Sequence, residues 1–177
     1  MKQFAYKTCI FGESNVGKTT LAVRLLKGYF EKDIKLTMGA EILVKFLEIE
    51  DKKIVLQVWD FGGQKMFDFL LPLYSRGSAG AIFMFDLTRQ HTLDRVEGWL
   101  DSFREGLSSE EKDVPVLLVG SKLDLKEQRQ IKFKEAEKIK KKYGFFEYIE
   151  CSSKTGENAE YVFESLVKRI FKYYNVI

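Results

Sequence analysis

The run Gly12-Glu13-Ser14-Asn15-Val16-Gly17-Lys18-Thr19 sets two glycines, a lysine and a hydroxyl at the spacing G-x-x-x-x-G-K-[ST]. Residues of these types at this spacing can capture phosphate. Glycine lets a loop wrap closely and turn successive N–H groups inward, where a side chain at Gly12 or Gly17 would intrude. Lys18 brings a compact charge for β and γ phosphates. Thr19 offers a hard hydroxyl ligand for Mg²⁺ at the start of a helix whose dipole favours anions. The chemistry expected is binding of a nucleoside triphosphate.

A second set follows in Trp59-Asp60-Phe61-Gly62-Gly63-Gln64. Asp60 is placed to hold Mg²⁺ through water, Gly62-Gly63 gives a backbone that can rearrange and offer an N–H to a γ phosphate, and Gln64 can orient an attacking water. Two further polar clusters, Ser121-Lys122-Leu123-Asp124 and Cys151-Ser152-Ser153-Lys154, each come directly after an apolar run.

These clusters need a scaffold that brings them together, and the apolar pattern supplies one. Tyr6 to Phe11 is a β-prone run, and Leu21, Leu25 and Leu26 recur at helical spacing after the phosphate loop. Ile42, Val44, Phe46, Leu47 and Ile49, then Asp51-Lys52-Lys53, then Ile54, Leu56, Val58 and Trp59 read as a hairpin. Beyond it strands and helices alternate: strand Ala79 to Phe85, helix Thr92 to Arg104, strand Val114 to Val119, helix Phe133 to Tyr143, strand Phe145 to Ile149 and helix Glu157 to Tyr173. The expectation is an α/β fold with a six-stranded, mostly parallel sheet, one antiparallel strand and helices on both faces. Ligands in such sheets collect beyond the carboxyl ends of the strands, where the polar clusters fall.

With 177 residues, 45% of them hydrophobic, and two prolines, the chain is sized for a single domain over residues 1–177. No apolar run reaches the length of a membrane span, and the first residues do not start a secretory signal. Cys9 and Cys151 suit reduced core positions, and His91, in a polar stretch without a second histidine nearby, reads as a loop residue. The net charge of +3 is too small to imply nucleic-acid binding. It is uneven, however. Lys122 to Lys142 holds nine Lys/Arg against four Asp/Glu, leaving the rest of the chain at −2, and a solvated basic helix face is expected.

Five motifs in this order make the chain resemble the Ras superfamily of small GTPases, most closely its Rab-like branch, from Tyr6 to about Phe171. Rab-like features are Ser14, the run Thr37-Met38-Gly39-Ala40-Glu41, Trp59, Tyr74-Ser75-Arg76-Gly77 and the run from Glu150 to Asn158. The resemblance implies GTP/GDP and Mg²⁺ as ligands. Glu13, Ser14, Asn15, Val16, Gly17, Lys18, Thr19 and Thr20 would surround the phosphates, with Gly63 facing the γ phosphate. Asp124 would accept two hydrogen bonds from guanine, with the Lys122 stem over the base, Ser121, Ser152, Ser153 and Lys154 supporting it, and Phe30 stacking edge-on. Thr37 would ligate Mg²⁺ beside Thr19 and Asp60 and sense the γ phosphate, so that Gln64, Lys18 and Thr37 carry hydrolysis. The segments round Thr37 and from Asp60 to Tyr74 would order with triphosphate and loosen after hydrolysis, meeting effectors, exchange factors and GTPase-activating proteins. The triad that reads out nucleotide state in Rab proteins would be Ile42, Trp59 and Tyr74.

The chain also departs from the pattern. Ser121 stands where Asn is usual, with one donor in place of two, which lowers the expected base affinity by roughly 1 kcal/mol. Ile34 replaces a frequent tyrosine, and Lys65-Met66 stands where Rab proteins have Glu-Arg. The last residues, Tyr173-Tyr174-Asn175-Val176-Ile177, hold no cysteine for prenylation. A cytoplasmic monomer without its own lipid anchor is expected, peripheral to membranes only through a partner or a missing tail. No arginine is clearly placed as an internal finger, so slow intrinsic hydrolysis and acceleration by a partner are expected. The rival reading is a nucleotide-dependent interaction module with little turnover; an adenine-nucleotide kinase or ATPase would have no use for Asp124.

Overall fold

The computed structural model describes residues 3–49 and 51–176. Six strands form one sheet: β1 (Gln3–Phe11), β2 (Ala40–Ile49), β3 (Lys52–Phe61), β4 (Ser78–Asp86), β5 (Val116–Ser121) and β6 (Tyr148–Glu150). Their order is β2-β3-β1-β4-β5-β6. β2 and β3 pair antiparallel through the hairpin, with Ile42 opposite Trp59 and Ile49 opposite Lys52. The other pairings are parallel. The expected six-stranded sheet with one antiparallel strand is therefore what the chain forms.

Helices α1 (Lys18–Lys27) and α6 (Ala159–Tyr173) cover one face, packing Leu21, Phe163, Leu166 and Ile170 against Ile10, Val58, Ile82 and Val119. Helices α2 (Leu70–Ser75), α3 (His91–Asp94), α4 (Val96–Glu105) and α5 (Phe133–Tyr143) lie on the other, where Leu71, Trp99, Phe103 and Ala136 meet Phe11, Phe83, Phe85 and Leu118. Every residue of β4 and β5 is buried, which is why those segments read as unbroken apolar runs without alternation. A buried side chain of this size contributes about 1.5–3 kcal/mol, so both layers stabilise the sheet.

Local departures from the sequence reading have local causes. The helix expected over Thr92 to Arg104 is two helices, because the backbone at Arg95 (φ −82°, ψ 5°) leaves the α-helical region. His91 opens the first of them and is not a loop residue. The last strand is shorter than Phe145 to Ile149: Gly144, at φ 76°, ends α5, and the N–H groups of Gly144 and Phe145 both donate to the Lys140 carbonyl. The residues after the cap therefore turn before Tyr148 joins the sheet. Cys9 and Cys151 are buried free thiols, as core positions require. Part of the excess positive charge is paired: Lys122 with Asp86 and Arg129 with Glu150. Among the described residues no helix is long and apolar enough to cross a membrane.

Candidate functional site

β1 sits where the strand order reverses, with β3 on one side and β4 on the other, and the loop after it crosses the crevice at the strand ends. Gly12 adopts φ 142°, and a Cβ there would lie 2.1 Å from the Met84 carbonyl of β4. The strict demand for glycine at this position comes from the neighbouring strand. Gly17 has room around it but sits at φ 100°, so conformation and not crowding selects glycine there. Both reasons differ from the phosphate sterics expected from the motif.

Lys18 is buried, and its Nζ donates to the Gly12 carbonyl at 2.8 Å and the Glu13 carbonyl at 2.7 Å. Burial lowers its pKa to about 8, against the pull of Asp60 and Glu13. Thr19 opens α1. Its hydroxyl lies 2.6 Å from that of Thr37 and donates to Asp60 Oδ2, while Thr37 Oγ1 donates to the same oxygen at 3.2 Å. Asp60 Oδ1 is buried and has no hydrogen-bond partner. Burial raises the Asp60 pKa, with the hydroxyls of Thr19 and Thr37 and the charge of Lys18 opposing it. Two hydroxyls and a carboxylate with one unsatisfied oxygen form a hard donor set, which fits Mg²⁺.

A cavity of about 410 Å³ runs from this cluster along the loop, lined by Ser14, Asn15, Gly17, Lys18, Thr19, Thr20, Thr37 and Gly63 among others. Lys32 and Lys35 also line it, two cations that the sequence reading passed over because their stretch lacks periodicity. Gly63 lies against the loop itself: a Cβ there would meet the Glu13 carbonyl carbon and the Ser14 nitrogen at 2.3 Å. Gln64 follows, half-buried, at the start of a 3₁₀ turn over Lys65–Phe67, and lies outside the residues lining the cavity.

A second cavity of about 310 Å³ adjoins the first. Phe30, Val16, Lys122, Asp124, Ser153 and Lys154 line it, so residues from four separate segments converge on one apolar slot with a carboxylate at its edge. Ser152 does not line it. Its hydroxyl instead donates to Asp124 Oδ1 at 2.6 Å and so holds the carboxylate. The Ser121 hydroxyl lies 2.6 Å from the Val16 carbonyl and 2.8 Å from the Phe85 carbonyl, tying the loop to β4. Ser121 itself lines the slot, with its hydroxyl engaged by these main-chain oxygens.

Three contacts around the site went unread in the sequence. The Glu13 side chain does not line the cavity of about 410 Å³ and accepts from Trp99 Nε1 at 3.0 Å, with Arg95 at 3.7 Å. Arg24 of α1 donates to the Ser153 carbonyl at 2.8 Å. Asp86, buried at the end of β4, binds Lys122 at 2.7 Å and Arg89 at 2.9 Å, and Arg89 also donates to the Ser14 carbonyl at 3.0 Å. Burial acts to raise the Asp86 pKa, but hydrogen bonds from Lys122, Thr88 and Arg89 outweigh it and hold the carboxyl below its ordinary range. Its place directly after an apolar strand was the available signal.

Around the segment from Asp60 to Tyr74, Trp59 and Tyr74 meet with ring centroids 5.5 Å apart, and Ile42 lies beside Trp59 across the hairpin. Leu71 is buried, while Met66 and Phe69 are exposed, so the apolar residues of this segment divide between core and surface.

Residues 7–172 match the model of the Ras family. The chain is similar to Ras-related protein RABA4b of Arabidopsis thaliana, 32% identical over 97% of this chain and 75% of that one. It is also similar to Ras-related protein RabJ of Dictyostelium discoideum (36%, over 93% of this chain and 62% of that one) and to Ras-related protein Rab-13 of Bos taurus (33%, over 93% and 79%).

Proposed function

Because the chain belongs to the Ras family, we propose that its two adjoining cavities together hold GTP, with the phosphates along Ser14 to Thr20 and guanine against Phe30 and Asp124. The chain is a small GTPase that switches between nucleotide states and hydrolyses GTP to GDP. The observation that carries the residue assignment is the convergence of Lys18, Thr19, Thr37 and Asp60 at the mouth of one loop, with the Asp60 carboxylate left one oxygen short of a partner.

In this reading Lys18 exchanges its two carbonyl contacts for phosphate oxygens, and the loop N–H groups take the remaining charge. Thr19, Thr37 and Asp60 would hold Mg²⁺, which would supply positive charge against the phosphates. Gln64 swings inward from beside Gly63 to orient water in line with the γ phosphorus. Asp124 accepts the guanine N1–H and exocyclic amine, a pair that adenine lacks. Ser152 fixes that carboxylate, Lys122 flanks the base with its Nζ anchored on Asp86, and Ser153 and Lys154 close the slot. Glu13 serves the site through its backbone, and Ser121 through the loop that it ties down. Partners would dock on the Thr37 region and on Asp60 to Tyr74, where the apolar surface of Leu36, Met38, Met66 and Phe69 is exposed.

Two measurements test this. Nucleotide released on denaturing the purified chain should be GDP or GTP at close to one per chain, and adenine nucleotide would overturn the role of Asp124. Single-turnover release of phosphate from loaded GTP then tests the assigned catalytic groups, since loss of Gln64 should slow it without emptying the site.

A further inference from the structure

β2 closes one side of the sheet, and among the described residues no strand pairs with its outer edge. Gly62 N donates to the Gly39 carbonyl across the hairpin, so residues of odd number in β2 direct their main-chain groups at β3. By alternation Ala40, Ile42, Val44, Phe46 and Glu48 present theirs to solvent. The same even positions carry exposed apolar side chains: Phe46 is 74% exposed, Ile42 50% and Val44 45%. A ten-residue edge strand without proline or glycine, with Ile42, Val44 and Phe46 exposed along it, is a template for another strand.

We propose that this edge pairs with β2 of a second copy of the chain, antiparallel about a two-fold axis at Leu43. Main-chain alternation allows only registers that set even positions opposite even positions. The register centred on Leu43 sets Ile42 opposite Val44, Ala40 opposite Phe46 and Glu41 opposite Lys45, each pair twice by symmetry. Ile42, Val44, Ala40 and Phe46 meet apolar residues, and Glu41 and Lys45 meet each other, while Glu48 falls opposite Met38 beyond the strand. Moving the axis to Val44 sets Glu41 against Leu47 and Leu43 against Lys45, and moving it to Lys45 sets like charges face to face and Ile42 against Glu48. A C2 contact needs a self-complementary surface, and the charge pattern of β2 meets that requirement in one register.

The test uses the full chain in light scattering or sedimentation over about 1–500 μM, the range in which a modest interface is populated. The wild type should pass from one to two chains per particle. Glu41→Lys alone sets Lys against Lys45, and Lys45→Glu alone sets Glu against Glu41, so each should weaken association about tenfold or more. An equimolar mixture of the two variants restores both opposite-charge pairs and should form a heterodimer at least as readily as the wild type. A wild type that stays monomeric throughout, as it would if this edge receives a different protein, overturns the proposal. So does a mixture that associates no better than its components. Far-UV circular dichroism of each variant checks that the sheet is kept.

Discussion

Arg89 donates to the carbonyl of Ser14 at 3.0 Å, bridging 75 positions of sequence to fasten the loop after β1. Because Asp86 holds both Arg89 and Lys122, the loop after β1 and the cavity lined by Lys122 share one buried carboxylate. Arg89→Ala should therefore speed release of GTP and GDP alike, by about three- to tenfold, with little change in the hydrolysis step. Stopped-flow release of a fluorescent nucleotide measures this. Unchanged release would show that the bridge does not restrain the loop.

The hydroxyl of Ser152 donates to Asp124 Oδ1, the carboxylate to which the proposed function assigns base recognition. Ser152→Ala removes one hydrogen bond to a carboxylate, worth about 1.5–3 kcal/mol, so guanine affinity should fall roughly tenfold or more. Asp124→Asn should reduce it further, while any weak binding of ATP stays where it was. Competition of GTP and ATP against a labelled guanine nucleotide reads both variants.

Gln64→Leu should retain nucleotide and suppress single-turnover hydrolysis by at least about tenfold, since it removes the group assigned to orient water. Gly63→Ala probes the same step from the backbone. Its Cβ would fall 2.3 Å from two main-chain atoms of the phosphate loop, so the segment must move away and hydrolysis should drop with it. Normal turnover in both would reject the role given to this segment.

Gly12→Ala is a test of fold and site together. A Cβ at 2.1 Å from the Met84 carbonyl, on a backbone at φ 142°, cannot be accommodated without shifting β4. Overpacking of this kind costs about 1–3 kcal/mol, and urea unfolding should show a loss of at least that size.

The buried thiols give a pH-dependent readout of folding. Burial pushes Cys9 up to about 11, with a contact to Ser78 Oγ at 3.1 Å opposing it, and pushes Cys151 up to about 12, from an ordinary 9.0. Their protonated state favours the fold, a contribution complete below pH 9 and lost as pH rises from 9 through 11 and 12. A thiol reagent at pH 8 should leave both unreacted in the native chain and label both in denaturant. Native stability should decline above pH 9.

Much of the fold lay open in the residue order. Ala81-Ile82-Phe83-Met84-Phe85 and Val116-Leu117-Leu118-Val119 announce strands buried on both faces, because only a sheet covered by helices on both sides takes continuous apolar runs. The limits of α5 were legible to the residue, since Gly144 supplies the left-handed cap that ends it. The break at Arg95 was hidden, because the apolar spacing from Leu93 to Phe103 continues through it and only the backbone angle departs.

The same division runs through the site. Sequence by itself determined the phosphate motif, the acidic and polar clusters after each strand, and the family to which they point, because loop capture of phosphate depends on short-range spacing and residue type. Tertiary structure alone decided what each side chain does there. It turned Glu13 toward Trp99, engaged Ser121 with two main-chain carbonyls, and made Asp86 the shared anchor of Arg89 and Lys122. These contacts join residues up to 105 positions apart, and their partners are set by which strands neighbour one another in the sheet. Strand order follows from the packing of the whole chain, and no local pattern of residues carries it.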